Sequence, residues 1–160
     1  MEDTLIEAKE THCILFHVDQ QICAIPISVV KEVLRNAKTE QLPKQPKFSD
    51  GILDLRGLLI PIIDLRRRFL LPVIENHLDQ RIIAVHLNNS VVGLKVDSII
   101  NVEKLELKPD LNDYLDKIYI KQHFIESMGL YRDELVVSID VNELFSEIEI
   151  ELFDTVKQAK

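Results

Sequence analysis

The amino-acid sequence carries the same pattern twice. Set His12–Val33 above the stretch that begins 69 residues later, and Ile14 falls on Ile83, Phe16 on Val85, His17 on His86 and Val18 on Leu87. Ile22 then falls on Val91, Ala24 on Gly93, Ile25 on Leu94, Ile27 on Val96, Val30 on Ile99 and Val33 on Val102, with no insertion. A second stretch matches at a spacing of 76 residues: Leu59 on Leu135, Ile63 on Ile139, Asp64 on Asp140, Leu65 on Val141 and Phe69 on Phe145. Gly51-Ile52 and Gly129-Leu130 match at a spacing of 78. Similarity at a fixed spacing means that one supersecondary unit is used twice. Any two β-rich segments share alternating hydrophobes, but here an Asp that starts a helix and a Phe that ends it recur as well.

The repeated unit reads as β-structure. Apolar runs rich in Ile, Val and Leu arrive at short spacing: His12–Val18, Ile22–Ile27, Gly51–Leu55, Leu58–Ile63, Arg81–Leu87, Val91–Val96, Ile99–Leu105, Tyr119–Ile120, Met128–Tyr131 and Leu135–Ile139. Most last five to seven residues, the length of strands in a mostly antiparallel all-β protein. Turn residues separate them at Asp19-Gln20, Arg56-Gly57 and Asn88-Asn89-Ser90. Two short helices are expected, one after Asp64 with Arg66 and Arg67 outward, one after Asp140 with Glu143 completing a capping box. Pro26 and Pro61 interrupt strands and should mark an edge or a bulge. Val29 and Val30 are adjacent, so one of them should face out.

These elements predict two similar five-stranded barrels of the SH3-like kind, over residues 11–72 and 80–148, allowing an exchange of strands at the ends. The joint falls near Leu71–Asp79, and residues 1–10 and 153–160 read as flexible tails. A barrel of about 60 residues has a thin core, so the two should pack face to face and share apolar surface.

Composition narrows the functional classes. Net charge is -8 with apolar residues at 46%, so the chain is an ordinary globular sequence whose field opposes nucleic acid and anionic lipid. No apolar run approaches the roughly 20 residues of a membrane-spanning helix. Met1–Thr4 lacks the basic-then-apolar order of a signal peptide, and cytoplasmic residence is expected. The five histidines show no ligand spacing, so no metal and no cofactor are expected. His17 and His86 read as strand residues with a satisfied ring nitrogen. No nucleophile elbow, P-loop or dinucleotide fingerprint is present, and Asp110 with Asp113 reads as a solvated loop. Cys13 and Cys23 fall about three strand positions out of register, about 10 Å apart, too far for a disulfide. Arg66-Arg67-Arg68 is the one basic run; it reads as two solvated arginines and one whose stem packs beside Phe69.

One segment has distinctive punctuation. It runs Ala24-Ile25-Pro26 through Val30, Glu32 and Val33, then Pro46, Phe48 and Gly51-Ile52, then Leu55-Arg56-Gly57, Pro61 and Asp64-Leu65-Arg66 to Phe69. Gly93-Leu94-Lys95-Val96-Asp97-Ser98-Ile99 follows in the second half. In order and spacing this resembles the CheW family, the scaffold proteins of bacterial chemosensory arrays, over residues 12–148. Asp54 stands where Asn is usual, Leu70 where Gly often ends the helix, and Cys23 where an aromatic is common.

The resemblance implies a non-enzymatic adaptor. Its partners would be the helical hairpin tip of a chemoreceptor and the CheW-like regulatory domain of a CheA-type histidine kinase. By family pattern Val30, Glu32, Arg56 and Val92 line the receptor-facing groove. Arg56 would grip a receptor carboxylate, or else be a structural arginine tied to Asp54 or Glu32. Val30 has plain core packing as its competing role, and Asp97 is expected to cap the following turn. Kinase contacts are expected on the hairpin Gly51–Ile63, with Leu53, Leu58 and Ile60 as candidates, and on the matching region Met128–Ile139. Within the family, a type IV pilus pathway or another non-flagellar one remains an alternative output. The competing class is a small-ligand-binding or enzymatic double barrel with a polar pocket between its barrels.

Overall fold

The computed structural model describes residues 9–41, 47, 49–75, 77–109, 118 and 120–145. Ten strands form: β1 Lys9–Val18, β2 Gln21–Pro26, β3 Val30–Arg35, β4 Ser49–Leu55, β5 Leu58–Asp64, β6 Arg81–Leu87, β7 Ser90–Val96, β8 Ser98–Leu107, β9 Ile125–Tyr131 and β10 Glu134–Ile139. Nine of the expected apolar runs are strands. Of the tenth, Tyr119 lies outside the described residues and Ile120 is buried in a bend. Asp110, Asp113, Pro46 and Phe48 also lie outside them. The strand that composition hides is β3, Val-Lys-Glu-Val-Leu-Arg, which alternates half-buried and exposed residues instead of forming an apolar run.

The strands make two five-stranded sheets, in the orders β8-β1-β2-β10-β9 and β3-β6-β7-β5-β4. They are the same arrangement built twice, with β1 to β5 matching β6 to β10. The registers agree residue by residue. Ile14 pairs with Val102 in one sheet and Val33 with Ile83 in the other, the same two repeat positions with the halves interchanged. The parallel pairs Ser138 with Ala24 and Ile62 with Gly93 match likewise. Each sheet therefore takes strands from both halves of the repeat. One, the terminal barrel, is made of β1, β2 and β8 to β10; the other, the middle barrel, of β3 to β7. The connection at Leu71–Asp79 joins two strands of the same sheet, so 11–72 and 80–148 are repeats in sequence without being the two sheets.

Short bridges close each sheet. Lys108 exchanges two backbone hydrogen bonds of 2.8 Å with Met128, and Glu40 exchanges two of 2.8 and 2.9 Å with Ile52. A side chain at Gly129 would place its Cβ 2.7 Å from the Glu106 carbonyl, and one at Gly51 would collide with the Glu40 carbonyl. The two glycines flank the bridge on opposite sides, Gly51 just before Ile52 and Gly129 just after Met128. Their match at a spacing of 78 is thus a likeness of role and not of register, because the strand pairing keeps a spacing of 76 throughout β9 and β10.

Strand alternation divides the core in three. In β1, Cys13 and Leu15 point into the terminal barrel, while Ile14, Phe16 and Val18 point to the seam between barrels. In β6, Ile82 points into the middle barrel, while Ile83, Val85 and Leu87 point to the seam. Among the described residues the seam holds 23 buried apolar side chains, against seven inside the terminal barrel and three inside the middle one. At about 1.5–3 kcal/mol for each large side chain, most hydrophobic stabilisation lies between the barrels. The expected shared core is the main core.

Local details correct several expectations. Asp64 caps helix α1 (Leu65–Arg68) by accepting from Arg66 N–H at 2.9 Å. After Asp140 a 3-10 turn, Val141–Leu144, forms instead of an α-helix. Asp140 accepts from Asn142 N–H at 3.1 Å, but its own N–H donates to the Phe124 carbonyl at 2.9 Å, so Glu143 has no orphan donor to satisfy and no capping box closes. Pro61 lies opposite Ile52, at the register shift in the β4–β5 pair, and Pro26 ends β2. Val29 and Val30 are both half-buried against the seam, because Val29 ends a 3-10 turn that rotates it inward. Cys13 pairs with Pro26 and Phe16 with Cys23, which keeps the thiols three positions out of register and free. Burial pushes the Cys13 thiol up to about 11 and the Cys23 thiol further in the same direction. Among the described residues neither the His17 nor the His86 ring has a hydrogen-bond partner, and His86 is exposed.

Candidate functional site: an exposed ion pair beside the seam

β3 is bulged between Val30 and Glu32. The bulge changes which face the strand presents. Val30 lies opposite Val85 and packs on the seam, whereas Glu32 and Leu34 lie opposite Ala84 and Ile82, on the side of the middle barrel's interior. One short strand thus carries an apolar contact at the seam and a carboxylate at the barrel rim.

The β4–β5 turn brings a guanidinium to that carboxylate. Arg56 and Gly57 both have positive φ, 51° and 88°, the geometry of a two-residue hairpin turn. Asp54 Oδ1 accepts from Gly57 N–H at 2.9 Å and locks the turn. Arginine is an uncommon choice for a left-handed position, where Asn or Gly is less strained. Its side chain is 71% exposed, and its Nη2 lies 2.9 Å from Glu32 Oε2. Of the two structural partners weighed for Arg56, Glu32 is the one it meets, while Asp54 serves the backbone. An exposed pair of this kind contributes about 0–1 kcal/mol, too little to explain a strained arginine by stability alone.

The other expected site residues separate. Val92 is 1% exposed and belongs to the seam core, so it has no surface to offer a partner. Alternation in β7 decides this, since Val92 shares a face with Leu94 and Val96. Ile60 is fully buried inside the middle barrel and is likewise removed from any contact surface. Leu53 is half-buried against Ile60, Ile62 and Ile82. Leu58, 41% exposed beside the Arg56 turn, is the apolar candidate that faces solvent. In the matching region, Met128 is buried and Leu130 is 53% exposed.

The larger correction concerns the basic run. Arg66 is not solvated. Its Nε and Nη2 donate to the two carboxylate oxygens of Asp97 at 2.9 and 2.8 Å, and Nη1 donates to the Pro72 carbonyl at 2.9 Å. Asp97 Oδ2 also accepts from Asp19 N–H at 2.7 Å, and the Asp19 carboxylate lies 3.3 Å from Arg66. The Asp97 hydrogen bond, foremost, raises the Arg66 pKa. Asp97 therefore clamps the β1–β2 turn of the terminal barrel to α1 and β7 of the middle barrel, instead of capping the turn after it. Both residues stood in the quoted motif. The signal was two opposite charges on different halves of the repeat, and spacing alone does not bring them together. The Arg68 guanidinium stacks over the Phe124 ring at 5.2 Å, across the seam, and that ring lies 5.5 Å from Phe69.

The two-barrel fold with its clamped seam defines a class of small double-barrel proteins built on a shared apolar core. Among the described residues no group of three or more His, Cys, Asp and Glu is placed to hold a metal ion, and no helix is long and apolar enough to cross a membrane. The CheW-like domain family matches residues 12–149, and the chain belongs to that family. It is 27% identical over 151 residues to the chemotaxis protein CheW of Thermotoga maritima, covering 92% of this chain and 96% of that one. It is 33% identical over 98 residues to the chemotaxis protein CheW of Bacillus subtilis, covering 59% of this chain and 63% of that one. The scaffolding protein TtCheW from Thermoanaerobacter tengcongensis superposes with a TM-score of 0.78 at 26% identity, covering 88% of this chain and 96% of that structure.

Proposed function

We propose that this chain is a non-catalytic adaptor of a bacterial chemosensory array, coupling the cytoplasmic tips of chemoreceptors to a CheA-type histidine kinase. The observation that carries the reading is the Arg56–Glu32 pair, held on a strained turn at the rim near the half-buried Val30. Glu32 pre-orients the guanidinium, and a carboxylate from a receptor helix completes its coordination while an apolar anchor packs on Val30. Leu58, on the same hairpin, offers an apolar contact to the kinase's regulatory domain. The protein works in the cytoplasm and reaches the membrane only through its partners. Family membership and the likeness to CheW proteins and the TtCheW scaffold support the same role.

Two variants test it against the receptor and kinase from the same genome. Arg56→Glu weakens receptor binding by roughly tenfold or more and leaves the melting temperature nearly unchanged. Leu58→Glu weakens kinase binding and spares receptor binding. Wild-type protein that binds neither partner at high micromolar concentration overturns the adaptor reading. Normal receptor binding by Arg56→Glu removes Arg56 from the site.

A further inference from the structure

The end of β3 away from Val30 carries positive charge. Arg35 and Arg81 stand directly opposite each other across the β3–β6 pair. Like charges in that position destabilise a sheet. Beside them an open cleft of about 780 Å³ is lined by Arg35, Asn36, Lys38, His77, Asp79 and Arg81. Among the described residues none of the three cations has an ion-pair partner. Arg81 Nη1 is held by the Leu78 and Gln80 carbonyls at 2.7 and 2.8 Å, which fixes the guanidinium without neutralising it. The His77 Nδ1 accepts from Asp79 N–H at 3.2 Å, which holds the ring at the cleft wall. Three cations against one carboxylate leave a local excess of two positive charges, in a chain of net charge -8.

The cleft is also braced. Gln80, 3% exposed, accepts from Asn36 Nδ2 at 2.9 Å and from His77 N–H at 3.1 Å with one side-chain oxygen. That oxygen ties the segment after β3 to the segment before β6, so both walls are held in place before any ligand arrives. A guanidinium held in place, as Arg81 is, with a second arginine and a lysine beside it, suits the oxygens of a phosphate group.

We propose that this cleft binds a phosphate-type oxyanion carrying two or more negative charges, on a free small molecule or on a phosphorylated side chain of a partner. It shares no residue with the Val30–Glu32–Arg56 surface, so the two readings stand or fall separately. The test is calorimetric titration of the full chain with inorganic pyrophosphate and, in parallel, with a phosphoserine peptide of neutral sequence. Saturable binding in the millimolar range or tighter is expected, weakened about tenfold by Arg35→Gln and by Lys38→Gln and unchanged by Arg132→Gln on the other barrel. Whichever of the two ligands binds more tightly names the source. Without ligand, Arg35→Gln should raise the melting temperature by about 1–3 °C, because it relieves the opposed charges. The proposal is overturned if neither ligand binds, if both arginine and lysine variants bind as well as wild type, or if succinate binds as tightly as pyrophosphate.

Discussion

At Leu70 the chain takes a left-handed turn with a side chain that disfavours it. Its φ is 61°, its N–H donates to the Arg67 carbonyl at 3.1 Å, and Leu71 N–H donates to the Arg66 carbonyl at 2.8 Å. That is the paired hydrogen bonding of a helix C-terminus that favours glycine. Leu70 is 77% exposed and contributes little burial to offset the strain. Leu70→Gly is therefore expected to stabilise the protein by about 1 kcal/mol, read as a higher denaturation midpoint at unchanged slope. Asp64 gives a second expectation. Burial raises its pKa, while Lys95, the Arg66 N–H and Arg67 pull the other way. A carboxyl with a raised folded-state pKa favours the fold below its unfolded value, about 3.9, and loses that contribution as pH rises through the folded value. Asp64→Asn keeps a cap acceptor and removes the buried charge. Its stability should decline less than wild type between pH 4 and 7, measured by denaturant titration at each pH.

Among the elements, the Asp97 clamp fastens the barrels by hydrogen bonds and charge, beside the Arg68–Phe124 contact. Asp97→Ala leaves Arg66 with Asp19 at 3.3 Å and the Pro72 carbonyl. A loss of about 2–3 kcal/mol is expected, short of the full 3–5 for a stranded buried charge because those partners remain. Denaturant titration measures it, and a loss below about 0.5 kcal/mol would show that the clamp is ornamental. The elements also show what could be read beforehand. β1, β2 and β4 to β10 were legible because their Ile, Val and Leu residues fall in short runs. β3 was not, because one of its faces meets water and its polar residues break the run. Arg56 was legible as a turn residue, whereas Val92 and Ile60 looked like surface candidates until the pleat assigned their faces.

For the whole molecule, the exchange of strands has a consequence for folding. Neither 1–72 nor 80–160 contains a complete sheet, and most of the core lies in a seam that both must build. Each fragment alone should lack cooperative unfolding, and an equimolar mixture should regain native circular dichroism and a single thermal transition. A fragment that folds cooperatively by itself would contradict the topology. The repeat, the strand lengths, the turn positions and the family all follow from the order of residues, because they depend on local periodicity and short-range sterics. Which half's strand completes which barrel, that Arg66 meets Asp97, and which hydrophobes reach the rim were settled only by tertiary structure. Two similarly patterned halves offer similar pairing partners, and the choice between them rests on long-range burial at the seam, which local sequence does not encode.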